Sequence, residues 1–485
     1  SSATVVNKAG LIETVGTGIP RIDFLGNTNG ALLLQPQRTN LITQSEAFGN
    51  SYWTKSGATI QGDPSTAGSE LVVNGSFTGG TTGWALSGGW AYGTNNVSIT
   101  SDTGALVQSA IFTAGKTYII TFDITVTSGA INLWINGTEL IQAGITTGSY
   151  SFNRYSGTTG SMFFEAIAGT TATIDNVSVK EVQGFASPSA DSPTNAFKLV
   201  EGTNTGGHYI LNSPISSLSG DISNSVFAKK GERNWIRLTN NNVVGAYFNL
   251  ESGIIGTVDS GFTANIQNYG NGWYRCSIFK NRATAATERF IAYTSVDGTS
   301  TSYTGDGTSG LYIYGAQVEQ SSYPTSYIPT QGSTVTRVAE ICEGAGNNQV
   351  FNSTEGVLYL EIQALSNDGT NRYISLNDGT TSNRVNIFYD TNNILRGFIT
   401  GISSIPASAI ITNNNKVAIK YKSGDIALWV NGVEVATKTD AISLSGLSGL
   451  SFNQTGGLHF YGKTKDARVY NTILTDSELA ILTTI

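Results

Sequence analysis

Apolar and polar residues alternate with a period of two along most of this chain. "KTYIITFDITVTS" (116–128), "NWIRLTN" (234–240), "GWYRCSIFK" (272–280), "GLYIYGAQVEQ" (310–320) and "GVLYLEIQAL" (356–365) all read as strands with one buried face. Between such runs lie Asn136-Gly137, Asp368-Gly369, Asp378-Gly379 and Asn431-Gly432. Each pair predicts a type I′ hairpin turn, because both central residues need positive φ and these residue types tolerate it. Helix signals are confined to two places. Thr475, followed three residues later by Glu478 and then by Leu479, Ile481 and Leu482, predicts a capped C-terminal helix, and "LITQSEAF" (41–48) predicts one further helical turn.

Breaks in the alternation divide the chain. Small polar residues from Asp63 through Pro64 to Ser69, the Pro/Ser/Ala stretch "GFASPSADSPT" (184–194), and "SSYPTSYIPTQGSTVT" (321–336) all read as connections. "LWING" (133–137) and "LWVNG" (428–432) echo one another as a strand-plus-turn unit. Composition agrees with an all-β chain: 57 Gly, an abundance of Ser, Thr and Asn, and 39% hydrophobic residues, enough for real cores. At about 150 residues per domain, 485 residues suggest three domains.

The net charge of −7 without a Lys/Arg cluster argues against a nucleic-acid partner. No apolar run approaches the ~20 residues needed to span a bilayer, so membrane insertion is not expected. Ser1 in place of Met points to a removed N-terminus. Cys276 and Cys342 are too few for a disulfide scaffold and read first as free thiols, although one disulfide between them stays open.

"SSATVVNKAGLIETVGTGIPRIDF" (1–24), "ALLLQPQRTNLITQSEAFGNSYWTKSGATI" (31–60), "GWYRCSIF" and "LYIYGAQVEQSSYPTSYIPT" together resemble phage virion proteins, tail-fibre and head-fibre components among them. In that family such a lead-in precedes a jelly-roll domain like a carbohydrate-binding module. The family's "W-T-K-x-G-A-T" stretch normally runs straight into a segment like "TNAFKLVEGTNTGGHYIL" (194–211), whereas here a long stretch intervenes. That stretch, "ELVVNGSFTGGTTGWALSGGWAY" (70–92) to "ATIDNVSVKEV" (172–182), resembles a galactose-binding-like jelly roll. The last block, ending "KTKDARVYNTILTDSELAIL" (463–482), resembles a concanavalin-like, laminin-G-type sandwich.

The expected architecture is therefore all-β, with three antiparallel β-sandwich (jelly-roll) domains, one inserted in another, and a short C-terminal helix. A lead-in spans 1–24, a discontinuous jelly roll 25–67 plus 184–335, an inserted jelly roll 68–183, and the last sandwich 336–485. An insertion whose ends are adjacent disturbs its host least.

Catalytic candidates are few. His208 and His459 are the only imidazoles, and neither stands beside a nucleophile motif; a glycosidase would need only two carboxylates, and nothing in the sequence singles out a pair. No enzyme activity is expected and no cofactor is required.

Sugar recognition needs an aromatic face for pyranose C–H groups, flanked by amides or carboxylates for the hydroxyls. Trp90 and Tyr92, between glycines in "GWALSGGWAY", are the leading candidates there, and Trp84 reads as core. Trp134 and Trp429 divide between packing and a loop-edge platform, Tyr209 beside His208 is a candidate for a concave face, and Trp235 and Tyr247 stay open. Trp273 and Tyr274 read as core. The jelly-roll resemblance implies a structural calcium whose acid in the final strand is Asp175, but Phe77 is followed by Thr78 where the pattern has an acid. Sequons at Asn74, Asn96, Asn136, Asn176, Asn352 and Asn453 are what chance gives in so Ser/Thr/Asn-rich a chain.

The resemblance implies a virion-surface adhesion protein, trimeric like many phage fibres, whose partners are host-surface polysaccharide and other virion proteins. A purely structural virion spacer and the carbohydrate-binding part of a secreted bacterial polysaccharide-degrading protein remain as alternatives.

Overall fold

The computed structural model describes residues 3–62, 67–114, 116–156, 158–182, 184–240 and 244–485. The architecture is nearly all-β, with antiparallel sheets packed as sandwiches and, among the described residues, one short helix, Asp476–Thr483. Asp63 and Pro64 lie outside the described residues, and the rest of the connection expected there is not all loop, since Ala67–Glu70 is a strand.

Residues 67–182 form one nine-stranded sheet with its own apolar core. Its spine is a pair of long strands, Val97–Phe112 and Gly160–Val182, which belong to both layers. Val97–Ile99 pairs with Ala172–Ile174 and Gly104–Gln108 with Met162–Ala166, with register shifts between the two segments. Ser101, Gly104 and Gly169 have positive φ at that break, where bulges let the sheet turn over on itself. Ala67, in the first strand, lies opposite Val182, the end of the last.

Strands on either side of this unit pair with each other. Trp53–Ser56 pairs with Tyr209–Asn212, and Ala58–Gln61 with Phe197–Glu201. They belong to two six-stranded sheets that enclose a core including Trp53, Ile210, Val226, Phe248, Ile278 and Ile313. The expected helical turn at 41–48 is absent. Instead the segment runs as bends, with Gln44 bridging Gln331 and the buried Glu46 carboxylate accepting hydrogen bonds from Tyr314 and Tyr327 at 2.8 and 3.0 Å.

The last sandwich packs a seven-stranded sheet on a five-stranded one. The expected division at residues 24 and 25 does not match its sheets. Ile22–Asp23 and Ala31–Leu34 extend the seven-stranded sheet, with Leu33 opposite Lys463, and Leu34 enters that core. The strand edge at Gly462–Thr464 needs hydrogen-bonding partners, and the Leu32-Leu33-Leu34 run supplies them. The hairpin Thr4–Val6/Ile12–Thr14 packs instead on the middle sandwich, against Phe227, Trp273, Tyr314 and Tyr327. The lead-in thus ties two sandwiches together rather than standing before them.

The C-terminal helix carries the expected capping box, with Thr475 Oγ1 accepting from the Glu478 N–H and the Glu478 carboxylate accepting from the Thr475 N–H. Asn136-Gly137 and Asn431-Gly432 have positive φ at both residues, as expected. The Asp-Gly pairs do not form type I′ turns. Among them only Gly369 and Gly379 have positive φ, while Asp368 and Asp378 do not and instead accept the N–H two residues on in Asx turns. Cys276 and Cys342 are both free, the first buried.

Candidate functional site

Of the seven tryptophans, five are buried and only Trp134 and Trp235 are partly accessible, and this decides which can meet a ligand. Trp90, a leading candidate, is 5% exposed and belongs to the core of the 67–182 unit. The glycines before it do not present it to solvent; they let the chain press against its neighbour, with Gly88 on the Thr103 carbonyl and Gly89 on Asp102, leaving the indole beneath. Trp84, 7% exposed, tilts against Phe77 and donates to the Asn74 carbonyl at 3.2 Å. Tyr92 is exposed at 45%, but the buried Trp90 gives it no partner ring. Trp429 is covered by the C-terminal helix through Leu479. Trp273 is buried and Tyr274 half-buried.

Trp134 lies on a different kind of surface. In Ile131–Ile135 the residues Ile131, Leu133 and Ile135 point into the core, so Asn132 and Trp134 face outward by the period of two. Across the ladder Trp134 lies opposite Phe163 on one side and Leu140 on the other, and Asn132 lies opposite Glu165. Phe163 in turn opposes Val107, and Val107 opposes Ala85. An apolar row therefore crosses five strands with an acid and an amide beside its aromatic centre. Glu165 accepts from Trp134 Nε1 at 2.9 Å and from Asn132 Nδ2 at 3.3 Å, which fixes the indole on the sheet. Leu140 and Ile167 at the margins are exposed. Sequence gave Trp134 but not Phe163, Glu165 or Asn132. "MFFEA" shows the right alternation, but the register that brings it beside "INLWI" is non-local.

The second aromatic face belongs to the middle sandwich. Tyr209, Tyr293, Arg237 and Tyr247 stand in one row across four strands. Their groups are engaged with one another. Tyr209 packs on Tyr293 at 4.6 Å, and the Arg237 guanidinium lies 4.8 Å over Tyr247 and ion-pairs with Asp259 at 2.7 Å. The Tyr247 hydroxyl donates to the Thr299 carbonyl at 3.0 Å. Trp235 is half-buried with Gly298 against one face of its indole, so close that a Cβ there would clash. This face is packed, and neither Tyr209 nor Trp235 offers a free ring.

The acid–base candidates are structural. His208 is buried, with Nδ1 and Nε2 at 2.5 and 3.1 Å from the Gly57 and Tyr303 carbonyl oxygens, and His459 stands near Tyr461 with no nucleophile hydrogen-bonded to it among the described residues. Glu201 is fully buried and takes a bidentate grip from Arg233 at 2.6 and 2.7 Å. Burial pushes its pKa up, but Arg233, the Asp306 N–H and the Tyr303 hydroxyl outweigh it and hold the carboxyl below its usual range. Burial pushes the Glu288 carboxyl up, yet it is tied to Asn224 and Arg282 with almost no space beside it. Asp175 opposes Asp123, but no group of three or more His, Cys, Asp or Glu suited to a metal occurs among the described residues.

No protein-family model and no curated protein matches the chain. Among solved structures it is similar to the CBM40 module of the Ruminococcus gnavus IT-sialidase bound to alpha2,3 sialyllactose, at 20% identity over 30% of this chain and 95% of that one, TM-score 0.25. It is also similar to the N-terminal CBM22-1-CBM22-2 tandem domain of Paenibacillus barcinonensis Xyn10C, at 12% identity over 53% of this chain and 98% of that one, TM-score 0.24. A third similarity is to the native heptameric SAP-like pentraxin of Limulus polyphemus, at 13% identity over 29% and 73%, TM-score 0.24. Two of these three are carbohydrate-binding modules, and each likeness is weak and partial.

Proposed function

We propose that the chain is a non-catalytic glycan-binding protein whose recognition surface is the open sheet face centred on Trp134. The observation that carries this reading is the outward row Val107, Phe163, Trp134 and Leu140 with Glu165 and Asn132 beside it. An indole anchored through its own N–H bond to Glu165 presents a π face to pyranose C–H groups, while the carboxylate and amide receive hydroxyls. The resemblance of residues 1–24, 31–60, 272–279 and 311–330 to phage virion proteins supports a fibre or decoration component on the virion surface, trimeric and bound to host polysaccharide. The same face would serve a secreted bacterial carbohydrate-binding protein equally well, and the genomic neighbours separate the two.

The test is binding of the full chain to host-surface polysaccharide with Trp134→Ala and Trp134→Phe. Trp134→Ala should abolish measurable retention, with Trp134→Phe keeping part of it and both variants folded as judged by near-UV circular dichroism. No binding by the unmodified chain would leave the structural-spacer reading standing, and unchanged binding in Trp134→Ala would put the glycan site away from this face.

A further inference from the structure

The lead-in, the middle sandwich and the last sandwich meet around a cavity of about 230 Å³. One wall is the outer face of the strand pair Thr263–Asn268 and Trp273–Glu288, where Asn265 lies opposite Ser277 and Gln267 opposite Arg275. Gln363 and Thr412 of the last sandwich form the facing wall. The polar side chains converge from two independent cores, so their spacing is set by how the sandwiches meet rather than by either sheet alone.

Arg275 is the anomaly in this wall. It is 5% exposed; Nη1 donates to the Thr325 carbonyl at 2.6 Å, Nη2 to Ser225 Oγ at 3.0 Å, and the guanidinium lies 5.3 Å over the Phe227 ring. Its Nε has no partner, and no carboxylate pairs with it among the described residues. The neighbouring cations are matched: Lys463 pairs with Asp23 at 2.7 Å and Arg21 with Glu340 at 2.7 Å. A buried guanidinium without a counter-ion is costly, and an anion in the cavity would offset that cost.

We propose that this cleft is a second binding site, for a single sugar ring that carries a carboxylate. The ring hydroxyls meet Asn265, Gln267 and Gln363, and the carboxylate sits in the field of Arg275. The inference stands apart from the Trp134 surface, which lies in the 67–182 unit and shares no residue with it.

Saturation-transfer NMR and calorimetry on the full chain with galacturonate, galactose and acetate test it. Galacturonate should bind the unmodified chain and Trp134→Ala alike, and Gln267→Ala, an exposed position with an unaltered thermal midpoint, should weaken it roughly tenfold, as loss of one hydrogen bond to a ligand does. Galactose and acetate should each bind at least roughly tenfold more weakly. Absence of galacturonate binding, or insensitivity to Gln267→Ala, overturns the site; equal binding of galactose overturns the charge reading, and equal binding of acetate reduces it to a simple anion site. Loss of galacturonate binding in Trp134→Ala would move the ligand to the other surface.

Discussion

Glu201→Gln is the substitution with the most fully determined outcome. The carboxylate sits at one end of the middle sandwich and gathers the Arg233 side chain from one connection and the Tyr303 hydroxyl at 2.8 Å and the Asp306 N–H at 2.9 Å from the stretch between Ser295 and Gly310. Removing one partner of a buried ion pair costs about 3–5 kcal/mol because the other charge is left uncompensated. Arg233 is 21% exposed and retains Asp306 at 3.6 Å, so the lower figure, about 3 kcal/mol, applies. At about 2–4 °C per kcal/mol for a unit of 150–250 residues, that is roughly 6–12 °C. Differential scanning calorimetry should show this shift in the transition of the middle sandwich and none in that of residues 67–182, whose core is separate. The pH dependence has a definite sign. A carboxyl held below its usual range contributes fully above the unfolded-state value and loses that contribution as pH falls through the lower, folded-state value. The unmodified chain should therefore lose this transition's extra stability on acidification below the ordinary Glu range, while Glu201→Gln loses correspondingly less. A shift under ~1 kcal/mol, or an equal acid slope in both proteins, would refute the reasoning.

Three further outcomes follow from burial and capping. Trp90→Ala should lower the stability of the 67–182 unit by about 3–5 kcal/mol, read by denaturant titration of its transition, since it empties a core position. Cys342, half-buried, should react with a maleimide in the folded protein, whereas Cys276, buried with its thiol pushed up by desolvation, should react only on unfolding; mass spectrometry of the labelled chain distinguishes them. Thr475→Ala removes the cap of the terminal helix and should cost about 1 kcal/mol in the last sandwich's transition, with a larger loss from Leu479→Ala.

Strands and their faces were legible because the period of two is local, and so was the capping box, which needs only Thr475 and Glu478. What could not be read is what depends on distant register. Leu32-Leu33-Leu34 announces burial without naming a sheet, and its partner strand begins at Gly462, near the opposite end of the chain. Trp134 is identifiable as a candidate, but Glu165 becomes its neighbour only through pairing of Ile131–Ile135 with Gly160–Val182. Trp90 misleads for a related reason: glycines suggest exposure, while here their missing side chains admit the Thr103 backbone and close the surface over the indole. The Asp-Gly pairs show local chemistry choosing otherwise, since the aspartate side chain bonds its own turn.

The pairing of Ala67 with Val182 bears on the order in which the chain acquires its structure. Strands Ala58–Gln61 and Phe197–Glu201 form a hairpin whose loop is everything between them. With residues 67–182 unfolded, closing that loop costs roughly 2 kcal/mol more in chain entropy than closing a ten-residue turn. Once those residues have folded, their ends lie on adjacent strands and the same hairpin closes as though its loop were short. Folding of the inner unit thus lowers the closure cost of the sandwich that carries it, and damage confined to its core should be felt in that neighbour as slower maturation.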